Sequence, residues 1–309
     1  GRGRTSRKRK LCETKIFGMM ITMTAREWFE KAQKEGFAIG AFNVDNLEIL
    51  NAICLAAKAK NSPVMLEFSQ GEVGYFGIDN IVDIAKNARE QFGIPVLLNL
   101  DHSKSVDDCK AAVEAQFDDV HFDGSEMEYA KNVEEIKKVV KAAHAEDILV
   151  EGEIDHLPGS SEVHTEELDM EAVKKSYTDP KRAASFVAET GVDIFASVFG
   201  NVHGTFPSAP PLDIDLLLRI KKAIPDTFLS MHGGSGIAAD QVKEAIKVGG
   251  IVKVNVNTEI RQAFHDALAE KIGEEPDQIA YYKMTPDIIR AVAAVVEGKI
   301  DVFGSFDKA

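Results

Sequence analysis

Short apolar runs alternate with amphipathic helical periods from Thr24 to the C-terminus. A leading helix over 24–34 precedes FAIGAFNV, and helices over 46–60, 79–91, 104–116 and 128–145 lead in turn to PVMLEFS, PVLLNLD, DVHFDGS and ILVEGEI. A long polar stretch and a helix over 180–190 then lead to DIFASVFG, a helix over 213–223 to TFLSMHG and a helix over 238–247 to IVKVNVN, with a final helix from about Thr258. The apolar period switches repeatedly between 2 and 3.6, which predicts eight strands, each followed by a helix. That order is the signature of a (β/α)8 TIM barrel, here with an extra N-terminal helix and a C-terminal helical extension. A doubly wound open sheet would carry a GxGxxG turn after its first strand, and FNVDNLE offers none.

Composition narrows the class. With 309 residues and 45% hydrophobic content, the chain can bury the core of one large barrel domain, expected over 19–309. No apolar run reaches membrane-spanning length, so a soluble protein is expected. Cys12, Cys54 and Cys109 are odd in number and lack a CxxC spacing, which argues for a reducing, cytoplasmic compartment and against a zinc ribbon or disulfide scaffold. Residues 1–18 hold seven basic residues and one acid, a basic extension expected to be disordered; the rest of the chain therefore carries −20 of the net −14. A body that acidic repels nucleic acid and anionic membranes.

Active sites of such barrels lie at the C-terminal ends of the strands. The strand-end residues are Asn43, Ser69, Asp101 with His102, Asp123 with Ser125, Glu151 and Glu153, His203 with Gly204, His232 with Gly233, and Asn255 with Asn257. His102, His203 and His232 each close an apolar run, so a barrel brings three imidazoles from distant segments to one rim. Three neutral imidazoles hold a divalent metal and leave a coordination position for substrate; zinc suits them, and cobalt, iron or manganese are alternatives. His121, His144, His156, His164 and His265 are read as ordinary histidines, one inside a strand and the others on helices or in a polar loop. HGGSG (residues 232–236) and NVNTE (residues 255–259) both join a strand to a helix, and their backbone N–H groups can face an anion, the usual phosphate site of barrels.

In this order, GAFNV, SPVMLEFSQG, LDH, FDGSE, VEGE, VHG, HGGSG and KVNVNTEIR resemble the class II, metal-dependent fructose-bisphosphate and tagatose-bisphosphate aldolases, from about Ala25 to the final FGSFDKA. The resemblance implies that His102, His203 and His232 bind the catalytic metal and Glu153 a secondary metal position. It implies Asp101 as the acid/base at the aldehyde-derived oxygen, and Asn43, Ser69, Gly204, Gly233, Ser235, Asn255, Asn257 and Thr258 as the substrate and phosphate set. Backbone oxygens near Val202, Gly204 and Gly233 would hold a monovalent cation, potassium or sodium. The implied reaction is zinc-dependent cleavage of fructose 1,6-bisphosphate to dihydroxyacetone phosphate and glyceraldehyde 3-phosphate, with the metal stabilising the enediolate. A homodimer or homotetramer is also implied.

The chain departs from the family pattern at several points. Where the family reads G-x-[LIT]-G-G and then acids, it has DHLPGSSEVHTEE, with Asp155 and Pro158 in place of glycines and Ser160 and Ser161 in place of acids. Glu162 is the nearest carboxylate and is expected to be the general base for the C4 hydroxyl proton, on a mobile loop. Asn257 leaves the fructose or tagatose preference open, and Arg290 falls one place from the usual register of the arginine for the second phosphate, so the substrate could lack that phosphate. No lysine occurs in IFASVFG, which disfavours a covalent-lysine aldolase, although Lys253 stands in the last strand. A barrel metal hydrolase and a non-catalytic metal-binding protein are the alternatives; the first usually carries an HxH on strand 1, which GAFNV lacks.

Overall fold

The computed structural model describes residues 23–208 and 210–309; the basic extension lies outside them. Thr24 starts the first helix, α1 (Ala25–Glu35), with a reciprocal cap: its hydroxyl accepts the Glu27 N–H and its own N–H donates to the Glu27 carboxylate at 2.7 Å. The apolar stripe Trp28, Phe29 and Ala32 of α1 is buried against Ala41, Met65, Leu97, Leu149, Ile194 and Phe228. These belong to the strands β1 (Ile39–Asn43), β2 (Val64–Ser69), β3 (Val96–Ser103), β5 (Leu149–Glu153), β7 (Ile194–Ala196) and β9 (Phe228–Met231), at or near their starts. Helix α1 therefore closes the N-terminal mouth of the barrel.

Together with β4 (Asp119–Asp123) and β10 (Ile251–Val256), these strands form a closed parallel barrel in the order β1-β10-β9-β7-β5-β4-β3-β2. Closure is made by β1 on β10, with Gly40 opposite Val254. The eight strands expected from the sequence are the eight that close. Between them run α2 (Leu47–Lys60), α3 (Gln70–Phe76), α4 (Ile78–Phe92), α5 (Val106–Glu114), α6 (Tyr129–His144), α7 (Met170–Lys175), α8 (Pro180–Thr190), α9 (Ile214–Ala223) and α10 (Ala239–Lys247). The final helix divides into α11 (Thr258–Glu274) and α12 (Thr285–Phe303), and α12 buries Ile288, Val292, Val296, Ile300 and Phe303 at helical spacing.

Inside the barrel the side chains alternate, every second residue pointing inward, except in β3, where the left-handed His102 follows Asp101 into the same cleft. The level above the α1 plug is polar: Glu67, Asn99, Asp119, His121, Glu151, Ser230 and Lys253 are all fully buried. Above it come Asn43, Asp101, Asp123, Glu153, His232 and Asn255, at the C-terminal mouth.

The sequence reading needs one correction here. The run DIFASVFG forms a strand only over Ile194–Ala196, after which the chain leaves the barrel. His203 instead opens β8 (His203–Thr205), which pairs in parallel with β6 (Gly159–Val163) as a two-stranded flap outside the barrel. β6 has a polar sequence and is mostly exposed on both faces, so no hydrophobic alternation marks it.

Candidate active site at the C-terminal mouth

Asn43, Asp101, His102, His203, Gly204, His232, Gly233, Ser235, Asn255, Asn257 and Thr258 line one narrow cleft, with Ser161 of the flap as its lid. His102 lies within β3 with φ 47°, a left-handed conformation that is strained for a residue with a side chain and that turns the imidazole inward. Gly233 and Gly204 are there for close approach: a Cβ would stand 2.0 Å from the Val202 carbonyl oxygen at the first and 2.4 Å from the Ser160 oxygen at the second. They let the flap and the loop after β7 close over the histidines.

The polarity of the rings is set from behind. Nδ1 of His102 lies 3.0 Å from the Asp123 carboxylate and 3.5 Å from that of Glu153, and Nε2 of His232 lies 2.7 Å from Glu151. Each carboxylate takes the N–H of its ring, so the other nitrogens, Nε2 of His102 and Nδ1 of His232, are left to face one another at 2.9 Å. Two acceptor nitrogens that close suit a shared cation; ligand nitrogens on a tetrahedral zinc stand about 3.3 Å apart at bonds of about 2.0–2.1 Å. The His203 ring lies beside the pair, its centroid 5.1 Å from that of His102 and 6.2 Å from that of His232. Burial, then the positive charge that His102 and His232 bring whenever they are protonated, hold His203 well below the usual imidazole range, in the neutral form that a metal needs.

The tightest metal-compatible grouping differs from the expected triad. Asp101, His102, His121 and His232 bring ligand atoms within 4.8 Å of one another, and His102, Asp123 and Glu153 form a second such group; His203 stands just outside both. Glu153 Oε2 is buried without a hydrogen-bond partner among the described residues, so the second group also offers a free oxygen for a cation. The donor sets fit a divalent metal at either place.

His121, read from the sequence as an ordinary strand histidine, lies inside this cluster. Its Nδ1 is 3.7 Å from Asp101 and 3.2 Å from the His102 backbone nitrogen, and its Nε2 is 3.3 Å from Glu153. Burial works against its charge, but Glu151, Asp101 and Glu153 outweigh burial and raise it well above the usual range. The alternation in DVHFD, which puts His121 on the same face as Asp119 and Asp123, was the available signal. Ser161 was missed for want of any pattern.

Asp101 is buried, which alone would raise its carboxyl; the charge of His102 and the neighbouring His121 ring instead hold it well below the usual carboxylate range. Asn43 and Asn255 each donate a 3.3 Å hydrogen bond to it. Ser69 faces Asp101 across the β2–β3 register and donates its backbone N–H to Glu72 at 2.6 Å, away from the cleft lining. At the glycine loop, Gly236 N–H donates to Glu259 at 2.6 Å, and Lys299 pairs with the same carboxylate at 2.7 Å. Glu162 is exposed on β6 and lines a neighbouring cleft with Arg261 and His265. Arg290 is 71% exposed on α12, paired with Asp287. Lys253 lies below the cleft, sealed by Glu151 at 2.6 Å, Glu67 at 3.1 Å and Asp119 at 3.5 Å, so its Nζ does not reach the mouth.

The family model described as fructose-bisphosphate aldolase class-II matches residues 23–308. The chain belongs to the class II fructose-bisphosphate aldolase family. These are metal-dependent aldehyde-lyases, and the fold and the metal-compatible cluster agree with that membership. Among relatives, the fructose-bisphosphate aldolase of Streptococcus pneumoniae serotype 4 is 35% identical over 303 residues, covering 94% of this chain and all of the relative. That of Geobacillus stearothermophilus is 35% identical over 295 residues, covering 94% and 99%. Among solved structures, the YdjI aldolase of Escherichia coli K12 superposes with a TM-score of 0.77 at 30% identity, over 93% of this chain and all of the other. No helix among the described residues is long and apolar enough to cross a membrane.

Proposed function

We propose that this class II aldolase is zinc-dependent and cleaves a phosphorylated ketose reversibly to dihydroxyacetone phosphate and an aldehyde. Fructose 1,6-bisphosphate is the reference substrate, giving glyceraldehyde 3-phosphate, and its C4 epimer tagatose 1,6-bisphosphate is the second. The observation that carries the reading is the pair of facing imidazole nitrogens of His102 and His232, 2.9 Å apart with a carboxylate behind each ring and Asp101 beside them. A divalent cation on His102, His203 and His232 supplies, when bound, the electron sink for the charge left by carbon–carbon cleavage.

The chain's own residues handle the protons and the phosphate. The C4 hydroxyl loses its proton as C4 becomes a carbonyl, and C3 gains one. Asp101, fixed by Asn43 and Asn255, serves the C4 oxygen; Glu162, the flap carboxylate expected from the sequence to take the C4 hydroxyl proton, is therefore assigned to C3 instead. The cleft has a volume of only ≈ 30 Å³, about a water's worth, so the flap turns aside for substrate and brings Glu162 round on closing. Gly233 and Ser235 in the loop before α10, with Asn255, Asn257 and Thr258 at the passage from β10 into α11, cradle the C1 phosphate. Glu153 holds the secondary metal position, and the carbonyls of Val202, Gly204 and Gly233 a monovalent cation. Two buried free cysteines, Cys54 and Cys109, suit the reducing cytoplasm, and a homodimer or homotetramer completes the reading. The test is a coupled cleavage assay with both bisphosphates before and after chelation. Activity lost to EDTA and restored by zinc is expected; full activity in a verified metal-free preparation would overturn the reading.

A further inference from the structure

The glycine loop is tied down by a residue from the far end of the chain. Lys299 Nζ on α12 lies 2.8 and 2.7 Å from the two oxygens of the Glu259 carboxylate and donates to the Gly234 carbonyl at 3.1 Å. Glu259 in turn accepts the Gly236 N–H at 2.6 Å, and its own N–H donates to the Ser235 hydroxyl at 3.3 Å. The Gly234 N–H donates to the Asn255 carbonyl at 2.9 Å. The loop before α10 and the start of α11 are thus clipped to one another, and both to α12. Only 13% of the Lys299 side chain and 28% of that of Glu259 are exposed, so water screens the pair only in part.

This arrangement holds a carboxylate where an anion is to dock. Glu259 follows Thr258 in the chain and Gly236 follows Ser235, and Thr258 and Ser235 both belong to the proposed phosphate cradle. A bare carboxylate there would repel a phosphate monoester, which brings a charge of about −1.5 to −2. The carboxylate is nevertheless useful, because its charge-assisted bond to the Gly236 N–H fixes the loop with Gly236 at φ 76°. Lys299 resolves the conflict by cancelling the charge of Glu259 while it holds Gly234 on the other side of the loop. An ammonium has three N–H donors, and three acceptor oxygens lie within 3.1 Å of this one. With its donors so used, Lys299 acts through Glu259 and Gly234, not on the substrate.

We propose that Lys299 is a positioning residue for the phosphate end of the substrate: it neutralises Glu259, so that this carboxylate clips the glycine loop without repelling the C1 phosphate. The inference rests on the aldolase reading above and deepens it. The C-terminal helix then sets how tightly the phosphate end binds, while the metal site and Asp101 set the chemistry. Charge and clip separate in Glu259→Gln, whose amide oxygen keeps an acceptor for the Gly236 N–H and removes the negative charge. With the carboxylate gone, the charge of Lys299 faces the cradle uncancelled and phosphate binds more tightly. A purely structural clip predicts weaker binding instead.

The experiment uses the zinc-loaded full chain and measures two things: the Kd of inorganic phosphate, and the dihydroxyacetone phosphate concentration that half-saturates deuterium exchange at C3. In Lys299→Met both are expected to rise at least tenfold, with the maximal exchange rate within twofold of the parent and zinc affinity unaltered. Lys299→Arg should stay within threefold of the parent. Glu259→Gln should bind phosphate more tightly than the parent, and adding it to Lys299→Met should bring that variant back to within threefold of the parent. Unmoved Kd and half-saturation in Lys299→Met, or a double variant as weak as Lys299→Met alone, would overturn the proposal. Glu259→Gln keeps the test decisive even where Lys299→Met fails to fold, because weaker phosphate binding in it contradicts the charge argument. The parent separates the two levels: exchange at C3 with the wrong order of phosphate affinities sinks only the role of Lys299, and no exchange sinks the aldolase reading beneath it.

Discussion

Replacing Lys253 by methionine probes how the buried polar level supports the mouth. Lys253, Glu67, Asp119 and Glu151 are all fully buried. Burial, with nearby carboxylates, pushes Glu67 up to about 8; burial, against Lys253, pushes Asp119 up to about 7. Burial would likewise raise Glu151, but Lys253, His121 and His232 hold it well below its ordinary range. The ion pair that matters near neutral pH is therefore Lys253 with Glu151. Deleting one member of a buried pair costs about 3–5 kcal/mol. Glu151 keeps the His232 ring and the Ser230 hydroxyl as partners, which places Lys253→Met near the lower end, about 3 kcal/mol. At about 2–4 °C per kcal/mol for a large domain, Tm should fall by about 6–12 °C. Left without its lysine, Glu151 draws a proton onto His232, and metal then competes with that proton; disturbing such a carboxylate–histidine support weakens binding by about 10–100-fold. The assays are thermal unfolding and chelator-competition titration of zinc into metal-free protein. A Tm within 2 °C of the parent together with unchanged zinc affinity would refute the reasoning. Glu151→Gln added to Lys253→Met should recover part of the lost Tm, because it removes the stranded charge.

Other outcomes follow from the same geometry. Glu162→Gln should lower kcat by about 10²–10⁴-fold with zinc affinity unaltered, measured by steady-state cleavage; an unaffected rate removes Glu162 from proton transfer. Gly233→Ala sets a Cβ 2.0 Å from the Val202 carbonyl at φ 67°, so thermal melts should show a loss above the ~1 kcal/mol of an ordinary glycine site, and an unchanged Tm would mean that the loop after β7 is free to shift. Stability should also depend on pH through Glu67. Its folded pKa of about 8 exceeds its ordinary 4.5, so the unfolded chain releases the proton first, and stability falls as pH rises between those values. The Tm advantage of Glu67→Gln over the parent should grow from pH 5 to pH 8 and then level; a constant difference would show that Glu67 titrates normally.

The barrel was legible because its strands bury both faces and its helices only one, so the apolar period changes at each boundary. His102 and His232 were legible as chemistry because each follows an apolar run at a strand end. His203 reaches the cleft by a different route from the one the sequence reading assumed, since it sits on a flap whose partner strand, GSSEV, is polar but for the exposed Val163 and is held by the close approach of Gly204 and Gly159 to the opposite backbone. His121 was illegible to a reading that treats strand interiors as apolar core, because here the interior is a charged level. The orientation of Glu162, and the pairing of Arg261 with Asp45 and Glu72, depend on contacts between loops far apart in sequence.

The most direct test of the central claim is deuterium incorporation from D2O into C3 of dihydroxyacetone phosphate, followed by NMR with no aldehyde present. Removing a C3 proton requires the electron sink and a base, and nothing of the aldehyde subsite. The account predicts exchange with the zinc-loaded protein, none with the metal-free protein, and none with zinc-loaded His203→Ala; exchange that persists in verified metal-free protein would contradict it.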